Sequence, residues 1–395
     1  MNVLVVSHLY PTPHYEHHLF VHDQARALRD LGVDVRVISP TPFAPRILWS
    51  SPRQRRRGQT PRRAVRDGIA AEYPRVLQLP RRILFDRSGD FVYAGLRRAA
   101  TLRAAGADLI HAHQALPDGA AAQRLATDLN VPYVVTVHGA DAYRTLREGG
   151  RAAGRVRSVL GGAAAVMTVG SSVARLLDGV VAPECLHVVL NGTSGSEAVV
   201  GPADFLPGVP LVLIVGYLIE RKGHAYLLDA LARLRAPGTD VALAIVGEGV
   251  LRAGLEQQAA HLGLADHVHF LSHLAHVEVL RLMARADVFA LPSWDEAFGL
   301  VYTEAMAQGT PVVACRGEGP EDFIRHGENG YLVPPRDAGA IADVIAGALA
   351  NPAGARAVGE AGRRTAGELT WQRNAERQIA IYEQVLAVAG RKDGR

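Results

Sequence analysis

Residues 296–306 read EAFGLVYTEAM and contain two glutamates, Glu296 and Glu304, eight positions apart. We expect Glu296 to end a loop and Glu304 to lie in the helix that follows. Gly299 lies between them, where backbone N–H groups at the start of a helix can face an anion. This layout suits a ligand that has hydroxyl groups at both ends and phosphate in the middle.

A lone lysine near the middle of the chain strengthens this interpretation. Of the 43 basic residues only Lys222 and Lys392 are lysines, and Lys392 lies in the polar C-terminal tail. Lys222 lies in the segment GYLIERKG, residues 216–223, directly after an apolar run. Because arginine is used almost everywhere else, a lysine here indicates a compact charge that meets a phosphate oxygen. An ordinary solvated lysine at a helix start is the alternative. A nucleotide sugar has both the hydroxyls and the phosphates that these residues would bind.

Length and composition favour a two-domain globular protein. The chain has 395 residues, with 48% hydrophobic and 21% charged residues, which is ordinary for a soluble protein. The first residues read as a buried strand and not as a signal peptide, and the longest apolar run, near Leu211, is about half the length of a membrane span. Cys185 and Cys315 are the only cysteines, so no disulfide framework is implied. We therefore expect a cytoplasmic protein.

The positive charge of the chain is concentrated in residues 46–103. This segment has 15 arginines and four acidic residues, and so carries +11 of a net charge that is only +4 for the whole chain. Apolar residues are scattered through it: Trp49, Ile69, Tyr73, Leu77 and Leu79. Such a stretch could rest on the inner face of an anionic membrane or hold an acidic acceptor. A solvated excursion is the equal alternative. Nucleic acid is not expected, because no recognisable reading motif accompanies the charge.

Short apolar runs alternate with helical patterns along the whole chain. Strands that are apolar throughout and separated by helices are typical of parallel sheets covered on both faces. We predict an α/β protein with two doubly wound, Rossmann-like domains facing each other across a cleft. The predicted strands are residues 3–6, 33–39, 109–113, 133–138, 164–169 and 187–190, then 211–215, 241–246, 268–271, 288–291 and 311–314.

Proline and glycine cluster at residues 202–210 and indicate the junction between the domains. We predict a first domain over residues 1–203, a second over 204–368, and a C-terminal helix over 369–395 that packs back on the first. Ligands of doubly wound sheets bind beyond the carboxyl ends of the strands. The residues found there are predicted to converge on one interdomain cleft: Ser7 and His8, residues 138–141, 216–222, 247–249 and 294–299.

With these pieces in place, the chain resembles a family 4 glycosyltransferase of the GT-B fold, a group of mostly retaining enzymes that use nucleotide sugars. The two glutamates and the segment AMAQGTPVVA (305–314) carry the resemblance, with Lys222, HGENGYLV (326–333), NG (191–192), DLIHAH (108–113) and TVHGAD (136–141). The likeness is strongest over residues 205–335. It is closest to bacterial enzymes of surface polysaccharide assembly, such as teichuronic-acid-type transferases.

The resemblance implies roles for the residues of the second domain, which would bind the nucleotide sugar. Glu296 would accept hydrogen bonds from hydroxyls of the donor sugar, and Glu304 from both ribose hydroxyls. Lys222 and Arg221 would neutralise the charge that develops on the departing diphosphate. The diphosphate or the sugar would also be held by the backbone N–H groups of Phe298, Gly299 and Leu300.

Further roles complete the implied site. Gly216 is the strand glycine beside the nucleotide, and Leu271 would contact the base through its backbone. In the first domain, which would bind the acceptor, His138 would hydrogen-bond a donor-sugar hydroxyl near the reacting carbon. The resemblance implies no metal and no cofactor, because enzymes of this fold usually need none. The partners would be a nucleotide-sugar donor and a glycan, lipid-linked or small-molecule acceptor.

Simpler interpretations exist for several of these residues. Glu304 could merely solvate a helix face, and His138 could be a satisfied loop histidine. His111 and His113 alternate on one strand, and for one of them we favour a place in the core, or next to a site residue, over a role as a metal ligand. Glu321 and Asp322 could touch substrate or cap a helix.

The sequence also departs from the family pattern. Tyr217 stands where the family often has arginine, and Ala297 where it usually has glycine. The loop 11–20 lacks the usual glycine, so His14, His17 and His18 could face acceptor or phosphate instead.

The predicted reaction transfers a sugar from a UDP-linked donor to an acceptor hydroxyl with retention of configuration. It would serve the biosynthesis of a polysaccharide, glycolipid or glycoconjugate. Alternatives are transfer to a small natural product and a non-catalytic sugar-nucleotide-binding protein. A dinucleotide-dependent oxidoreductase is disfavoured because no G-x-G-x-x-G motif follows the first strand.

Overall fold

Two separate sheets of mostly parallel strands organise the chain. A computed structural model describes residues 1–14, 19–43, 58–79, 82–97, 99, 106–193, 203–235 and 239–393. The first unit comprises Met1–Gly192 and Trp371–Arg395, and the second comprises Thr193–Thr370. The divisions thus lie at residues 192/193 and 370/371, where the sequence predicted 203/204 and 368/369. Trp49, His17, His18 and the arginines at positions 46–57 lie outside the described residues.

The sheet of the first unit runs in the order β10-β9-β8-β7-β1-β2-β5-β4 in the described part of the chain. Its strands are parallel, except that β4 pairs antiparallel with β5. The strand order reverses between β1 and β7, which makes this the switch point of the sheet. A short parallel pair, β3 with β6, lies apart from it. The strands are β1 (Asn2–Val6), β2 (Asp34–Ile38), β3 (Thr41–Phe43), β4 (Arg63–Arg66), β5 (Ile69–Glu72), β6 (Arg75–Leu77), β7 (Leu109–His113), β8 (Tyr133–Val137), β9 (Ala165–Thr168) and β10 (Leu186–Val188).

The sheet of the second unit runs in the order β13-β12-β11-β14-β15-β16, and all its pairs are parallel. This is the 3-2-1-4-5-6 order of a Rossmann fold, with its switch point between β11 and β14. The central strands are apolar and, apart from the half-buried Val215 at the end of β11, fully buried, as expected of a sheet covered on both faces. The strands are β11 (Leu211–Val215), β12 (Ala242–Val246), β13 (Val268–Leu271), β14 (Val288–Ala290), β15 (Val312–Cys315) and β16 (Tyr331–Val333).

The α-helices connect and cover these strands. Two of them are capped by side chains at their first turn: Asp337 accepts from the N–H of Ala340, and Asn351 from that of Gly354. The α-helices with described bounds are α1 (Leu19–Asp30), α2 (Ser88–Leu96), α3 (Ala120–Leu129), α4 (Gly150–Gly161), α5 (Ser171–Leu176), α6 (His224–Arg235), α7 (Arg252–His261), α8 (His276–Arg285), α9 (Leu300–Ala307), α10 (Ala338–Ala350), α11 (Pro352–Glu368) and α12 (Trp371–Asp393).

The last helix, α12, packs within the first unit. Its Tyr382 is fully buried and its hydroxyl lies 2.7 Å from Nδ1 of His111 on β7. Asn374 accepts from Nε2 of Gln24 on α1 and donates to the carbonyl of Leu190. These polar contacts fix the helix at one position, because each partner would be left unsatisfied in the core if the helix shifted.

The described part of the arginine-rich segment belongs partly to the sheet. The hairpin β4–β5 extends its edge, and Ile69 and Tyr73 are each only 1% exposed. The sequence had offered these two residues as apolar contacts for a membrane, and that interpretation was wrong for them because they pack in the core of the first unit. Leu77 is exposed, as are Arg62, Arg63 and Val65.

No single helix in the described ranges is long and apolar enough to cross a membrane. Helices α10 and α11 pass the length and composition test only as a pair, bent by 106°.

Candidate functional site

The loops that follow β11 and β14 meet at the switch point of the second unit. After β11 the chain passes through a short 3-10 turn, Glu220–Lys222, and then Gly223. Gly223 has φ +75°, and a Cβ there would lie 2.3 Å from the carbonyl oxygen of Pro292 in the loop after β14. Only glycine allows this approach. The approach brings Lys222 beside the loop that carries Glu296.

Lys222 and Glu296 form an ion pair with 2.6 Å between Nζ and Oε2. The two side chains are 12% and 11% exposed, so water screens the pair little. Burial by itself would raise the pKa of Glu296, but the Lys222 ammonium, with help from Arg221 and Ser293, lowers it below its usual value. Glu296 is therefore held as a carboxylate next to a cation.

Residues around Glu296 fix its position. The Ser293 hydroxyl donates to Oε2 of Glu296 at 3.0 Å and lies 3.1 Å from the hydroxyl of Tyr302. Tyr302 is fully buried and donates to the carbonyl of Leu291. The carboxylate of Glu318 accepts from the backbone N–H of Glu296 at 2.9 Å, and burial raises the pKa of Glu318. The loop after β14 is thus held from both sides.

Gly299 is the residue before helix α9 and has φ +81°. A Cβ at this position would lie 2.5 Å from the ring of Tyr302, so glycine is required for the close approach. Phe298 is buried, with its ring 5.1 Å from that of Phe323. The helix begins at Leu300, four residues after Glu296. The N–H groups of its first turn and the positive end of its dipole therefore lie just after Glu296 in the chain.

Glu304 lies one turn into α9, and its side chain is 15% exposed. Its Oε1 is 3.3 Å from Nε2 of His276, the first residue of α8. The hydrogen bond that His276 donates to Glu304 raises the pKa of His276, and the carboxylate charge adds to this although partial burial opposes it. Glu304 is thus presented at the edge of the unit with a histidine as its neighbour.

The remaining predicted residues of the second unit lie on the same loops. Arg221 donates to the carbonyl of Asp295 at 3.2 Å, and its own carbonyl accepts from the N–H of Trp294. Gly216 directly follows β11 and donates to the carbonyl of Val246. The structure therefore brings Arg221, Lys222 and Glu296 together.

Leu271 ends β13, and its carbonyl accepts from the N–H of Gly247 at 3.2 Å. A carbonyl oxygen has two lone pairs, so this bond leaves room for a second donor. The predicted contact of the Leu271 backbone with a base stays a prediction.

In the first unit, His138 follows β8 and lies against a buried histidine. Its Nε2 is 2.9 Å from Nδ1 of His113, and the two rings are stacked. His113 in turn stacks on His111, whose Nε2 is 2.7 Å from the hydroxyl of Thr136. Burial lowers the pKa of His111 to about 3 and that of His113 well below its usual value. Both are therefore neutral and buried, where the sequence favoured such a place for one of them.

Two carboxylates lie near the switch point of the first unit. Asp118 accepts from the backbone N–H and from Nδ1 of His8, at 2.9 and 2.6 Å. Asp141 accepts from the N–H groups of Ala115 and Leu116, and burial raises its pKa to about 6.

Several residues of the candidate site were missed from the sequence. Tyr302 lies inside the segment 296–306, and Ser293 lies directly before the segment 294–299, but a serine or tyrosine there carries no distinguishing pattern. Glu318 and His276 act on residues 22 and 28 positions away, which no local pattern reveals. Glu321 accepts from the N–H of Gly317 and so serves a local turn, whereas the sequence offered contact with substrate or the capping of a helix. Within the described residues, no group of three or more His, Cys, Asp or Glu side chains is placed to hold a metal ion.

The family comparison covers both units. Residues 19–194 match Glycosyltransferase Family 4, and residues 204–365 match Glycosyl transferases group 1. The chain belongs to these glycosyltransferases. The candidate residues Lys222, Glu296 and Glu304 all fall within the group 1 segment of the enzyme, and His138 falls within the family 4 segment.

Curated relatives of the glycosyltransferase include enzymes named for bacterial surface glycans. TuaC of Bacillus subtilis, named for teichuronic acid biosynthesis, is 28% identical over 87% of this chain and 88% of its own length. LpsE of Rhizobium meliloti, named for lipopolysaccharide core biosynthesis, is 41% identical over 36% of this chain and 39% of its own length. The MMP alpha-(1->4)-mannosyltransferase of Mycolicibacterium hassiacum is 34% identical, and the match spans 54% of that relative. This glycosyltransferase groups with enzymes of polysaccharide and glycolipid biosynthesis.

Solved structures show the fold of this glycosyltransferase. Sucrose-phosphate synthase from Thermosynechococcus elongatus has a TM-score of 0.81 at 24% identity, over 98% of this chain and 100% of that chain. HepE from Anabaena, in complex with UDP and glucose, has a TM-score of 0.74 at 20% identity, over 97% and 100%. The chain has the GT-B fold, with two Rossmann-like units. The predicted closure of the units over one cleft stays a prediction.

Proposed function

We propose that this glycosyltransferase moves a sugar from a UDP-linked donor to an acceptor hydroxyl and retains the anomeric configuration. The observation that carries the proposal is the buried pair of Lys222 and Glu296 at the switch point of the second unit. A cation and a carboxylate side by side suit a ligand in which phosphate adjoins a hydroxyl-bearing sugar. The acceptor belongs to a polysaccharide, glycolipid or glycoconjugate.

Donor binding is assigned to the second unit. Lys222 binds the diphosphate together with Arg221 and the first N–H groups of α9. Glu296, which stays ionised, accepts from hydroxyls of the donor sugar, and Glu304 accepts from the ribose hydroxyls. The backbone of Leu271 contacts the base. In the first unit, His138 hydrogen-bonds the donor sugar near the reacting carbon.

The proposed reaction proceeds on one face of the donor sugar. The bond from the anomeric carbon to the phosphate oxygen breaks, the acceptor oxygen bonds to the same face, and the departing diphosphate takes the acceptor proton. Lys222 and Arg221 stabilise the charge that develops on the diphosphate, and one such donor contributes about 3 kcal/mol to the transition state. No metal or cofactor takes part in this proposal, and activity is expected to persist with excess EDTA.

Uracil is the proposed base, and guanine is the competing one. HepE was solved with UDP, whereas a relative from Mycolicibacterium smegmatis is named as GDP-mannose-dependent. Thermal denaturation with UDP, GDP and NADH separates the candidates, because a ligand of the folded state raises the melting temperature. A shift with UDP is expected. A higher melting temperature with GDP alone would make guanine the preferred base. A higher melting temperature with NADH alone would contradict the proposed function.

Catalysis is tested with sugars linked to the nucleotide that raised the melting temperature. Glu296→Ala is expected to abolish turnover while the protein still folds, and Glu360→Ala on the exposed face of α11 serves as a control. Normal turnover by Glu296→Ala would refute the site. Binding without any turnover would favour the non-catalytic alternative. Transfer only to small hydroxylated compounds would favour the natural-product alternative.

We also propose that the enzyme works at the inner face of an anionic membrane, through the arginine-rich residues 46–103. The exposed Arg62 and Arg63 support this, whereas the buried Ile69 and Tyr73 contribute nothing to it. Vesicles with anionic lipid should bind the protein at low salt and release it at high salt. Changing Arg55, Arg56 and Arg57 to Glu should weaken binding. No binding at low salt would reject the proposal.

A further inference from the structure

The segment 326–333 of the second unit carries part of the family resemblance, yet the proposed reaction gives it no role. It forms a turn and then strand β16, at the edge of the sheet. Gly327, Glu328 and Tyr331 line an open pocket of about 510 Å³, together with residues of α10 and α11. This volume lies in the range of small-molecule sites, about 300–1,000 Å³. Because Tyr331 is the first residue of β16, the pocket lies at the amino end of that strand, whereas the candidate site lies beyond the carboxyl ends of parallel strands.

The turn that forms one wall of the pocket is held from two sides. Nδ2 of Asn329 donates to the hydroxyl of Thr365 on α11 at 2.8 Å. Nδ1 of His326 lies 3.0 Å from the backbone nitrogen of Leu332, and its ring is edge-to-face against that of Tyr331. These contacts connect the turn both to the helix and to the strand, and so they fix the shape of this wall.

The other wall comes from α10 and α11, which are bent by 106° relative to each other. Asn351 lies between the two helices and lines the pocket, and its Oδ1 accepts from the N–H of Gly354 at 3.0 Å. A Cβ at position 354 would lie 2.5 Å from Nδ2 of Asn351, so glycine is needed for the amide to lie there. An amide that is oriented in this way keeps its two Nδ2 hydrogens as donors, and no described residue accepts from them.

Two opposite charges line the pocket without pairing. In the part of the chain that the structure describes, neither the carboxylate of Glu328 nor the guanidinium of Arg364 has a hydrogen bond or an ion pair, although both line the same space. The hydroxyl of Tyr331 has no described partner either. Glu328 would repel a phosphate and Arg364 would repel an amine, whereas a neutral ligand meets an acceptor and a cationic donor at once.

We propose that this pocket binds a neutral glycan, whose hydroxyls accept from Arg364 and Asn351 and donate to Glu328. Each sugar hydroxyl can both donate and accept, and so it matches a lining that offers both kinds of group. The occupant is a part of the acceptor glycan away from its reacting end. The pocket itself goes beyond the proposed reaction, but the choice of occupant rests on the glycan acceptor of the proposed function. A second contact of this kind keeps a long acceptor near the enzyme between transfers.

The test measures direct binding by isothermal titration calorimetry of the full chain. The neutral probes are maltohexaose and mannohexaose, and the charged probes are inorganic phosphate and spermidine. Saturating UDP or GDP is present throughout, so that phosphate does not bind beside Lys222. Only binding that a pocket variant loses is assigned to the pocket. We expect at least one of the oligosaccharides to bind there and neither of the charged probes to do so.

Three substitutions change the pocket, and one serves as a control. Gly347 lines the pocket, and a Cβ there meets no atom within 4 Å. The ring of Gly347→Phe should therefore occupy the space and weaken oligosaccharide binding about 10-fold or more, without lowering the melting temperature. Glu328→Ala and Arg364→Ala should each weaken binding about 3- to 10-fold, through the loss of a hydrogen bond. Arg356→Ala, exposed on α11 outside the pocket, is the matched control for Arg364→Ala and should bind as the wild type does.

The competing explanation is a surface of solvated polar side chains that binds nothing. Failure of both oligosaccharides to bind the wild type would overturn the inference, and so would binding that all three pocket variants retain. Phosphate or spermidine binding that Gly347→Phe abolishes would overturn the neutral class of ligand. If Gly347→Phe does not fold, Glu328→Ala and Arg364→Ala decide the result.

The reaction is measured separately, as release of nucleotide from the donor sugar in water. The pocket variants should hydrolyse the donor at the wild-type rate, because none of these residues lies among those proposed to bind the donor. A wild type that binds an oligosaccharide in the pocket but turns over no nucleotide sugar would contradict the proposed function and leave the pocket standing. Turnover without oligosaccharide binding would contradict the pocket alone.

Discussion

In the second unit, the loops after β11 and β14 place a lysine against a glutamate, whereas in the first unit the loop after β8 carries a histidine, His138, that stacks on a neutral histidine of β7. Lys222 and Glu296 are both charged and both largely buried. His111 and His113 are kept uncharged by burial, and His138 is bonded to one of them. The two sheets thus carry different chemistry beyond the ends of their strands.

This difference matches two kinds of ligand. A diphosphate carries charge that only a cation and aligned amides can compensate, and its sugar and ribose hydroxyls need acceptors beside that cation. An acceptor hydroxyl is neutral, so neutral ring nitrogens suffice to orient it. In the proposed function, the first unit accordingly binds the acceptor hydroxyl and the second unit binds the nucleotide.

The largest expected effect comes from breaking the Lys222–Glu296 pair. Lys222→Met should lower kcat/KM about 100- to 1,000-fold, because the leaving diphosphate loses its cation. It should also lower the free energy of unfolding by about 3 kcal/mol, since it leaves a buried carboxylate without its counter-charge. Steady-state kinetics and urea denaturation measure the two effects.

The double variant Lys222→Met with Glu296→Gln sharpens this prediction. It should regain most of the lost stability, because neither side chain is then charged, yet remain inactive. If the double variant were no more stable than Lys222→Met, the pair would not be the source of the stability loss.

The next effect concerns the backbone beside the pair. Gly299→Ala should lower the unfolding free energy of the second unit by about 3 kcal/mol, because it combines a positive φ with a Cβ 2.5 Å from the Tyr302 ring. Gly347→Ala, on α10 with open space around it, is the control and should stabilise the protein by about 0.5–1 kcal/mol. Thermal denaturation compares them, and equal melting temperatures would refute the packing argument.

A smaller effect is expected in the core of the first unit. Tyr382→Phe removes the hydroxyl that contacts Nδ1 of His111 and Oε1 of Gln378, and so leaves buried polar atoms unsatisfied. The free energy of unfolding should fall by about 2 kcal/mol. Tyr217→Phe, whose side chain is 60% exposed, should change it by less than about 0.5 kcal/mol. A Tyr382→Phe variant as stable as the wild type would mean that water replaces the hydroxyl.

The smallest effect tests the edge of the second unit. The pKa of His276 is raised in the folded state, so its pairing with Glu304 stabilises the protein fully at pH 6 and the effect is lost as the pH rises through that pKa. Because His276 is mostly exposed, His276→Gln should cost at most about 0.5 kcal/mol at pH 6 and nothing at pH 9. Urea denaturation at both pH values measures it. A loss at pH 9 would contradict the pairing.

The sequence predicted most inner strands of both sheets and the edge strands β10 and β13, and it missed β4, β5 and β16. The run 211–215 is apolar without interruption, and residues 133–137 are interrupted only by Thr136, so the observed β11 and β8 agree with prediction within one residue. The hairpin β4–β5 was missed because its strands, RAVR and IAAE, have only four residues each and end in charged residues, so neither shows a clear apolar pattern. Strand β16 has only three residues, too few for a period to show.

The candidate site was predictable where a residue type was unusual in its place. Lys222 stood out against 41 arginines, and the spacing of Glu296 and Glu304 is visible in the sequence alone. Glu318 could not be found in this way, because it acts by accepting a backbone N–H, and a backbone N–H carries no sequence signal. The pair of His8 and Asp118 joins positions 110 residues apart, which only the fold brings together.

The two places where the chain passes from one unit to the other have a practical consequence for engineering. Gly192 lies so close to Trp371 that a Cβ would reach the backbone nitrogen of that residue, and the N–H of Thr193 donates to the carbonyl of Leu369. The two ends of the second unit are therefore neighbours, so that unit is an insertion that could be exchanged for the matching segment of a relative at residues 193 and 370. A truncation at residue 192 would instead remove the last helix of the first unit. A chimera made to change the donor preference should therefore take residues 1–192 and 371–395 from the same parent.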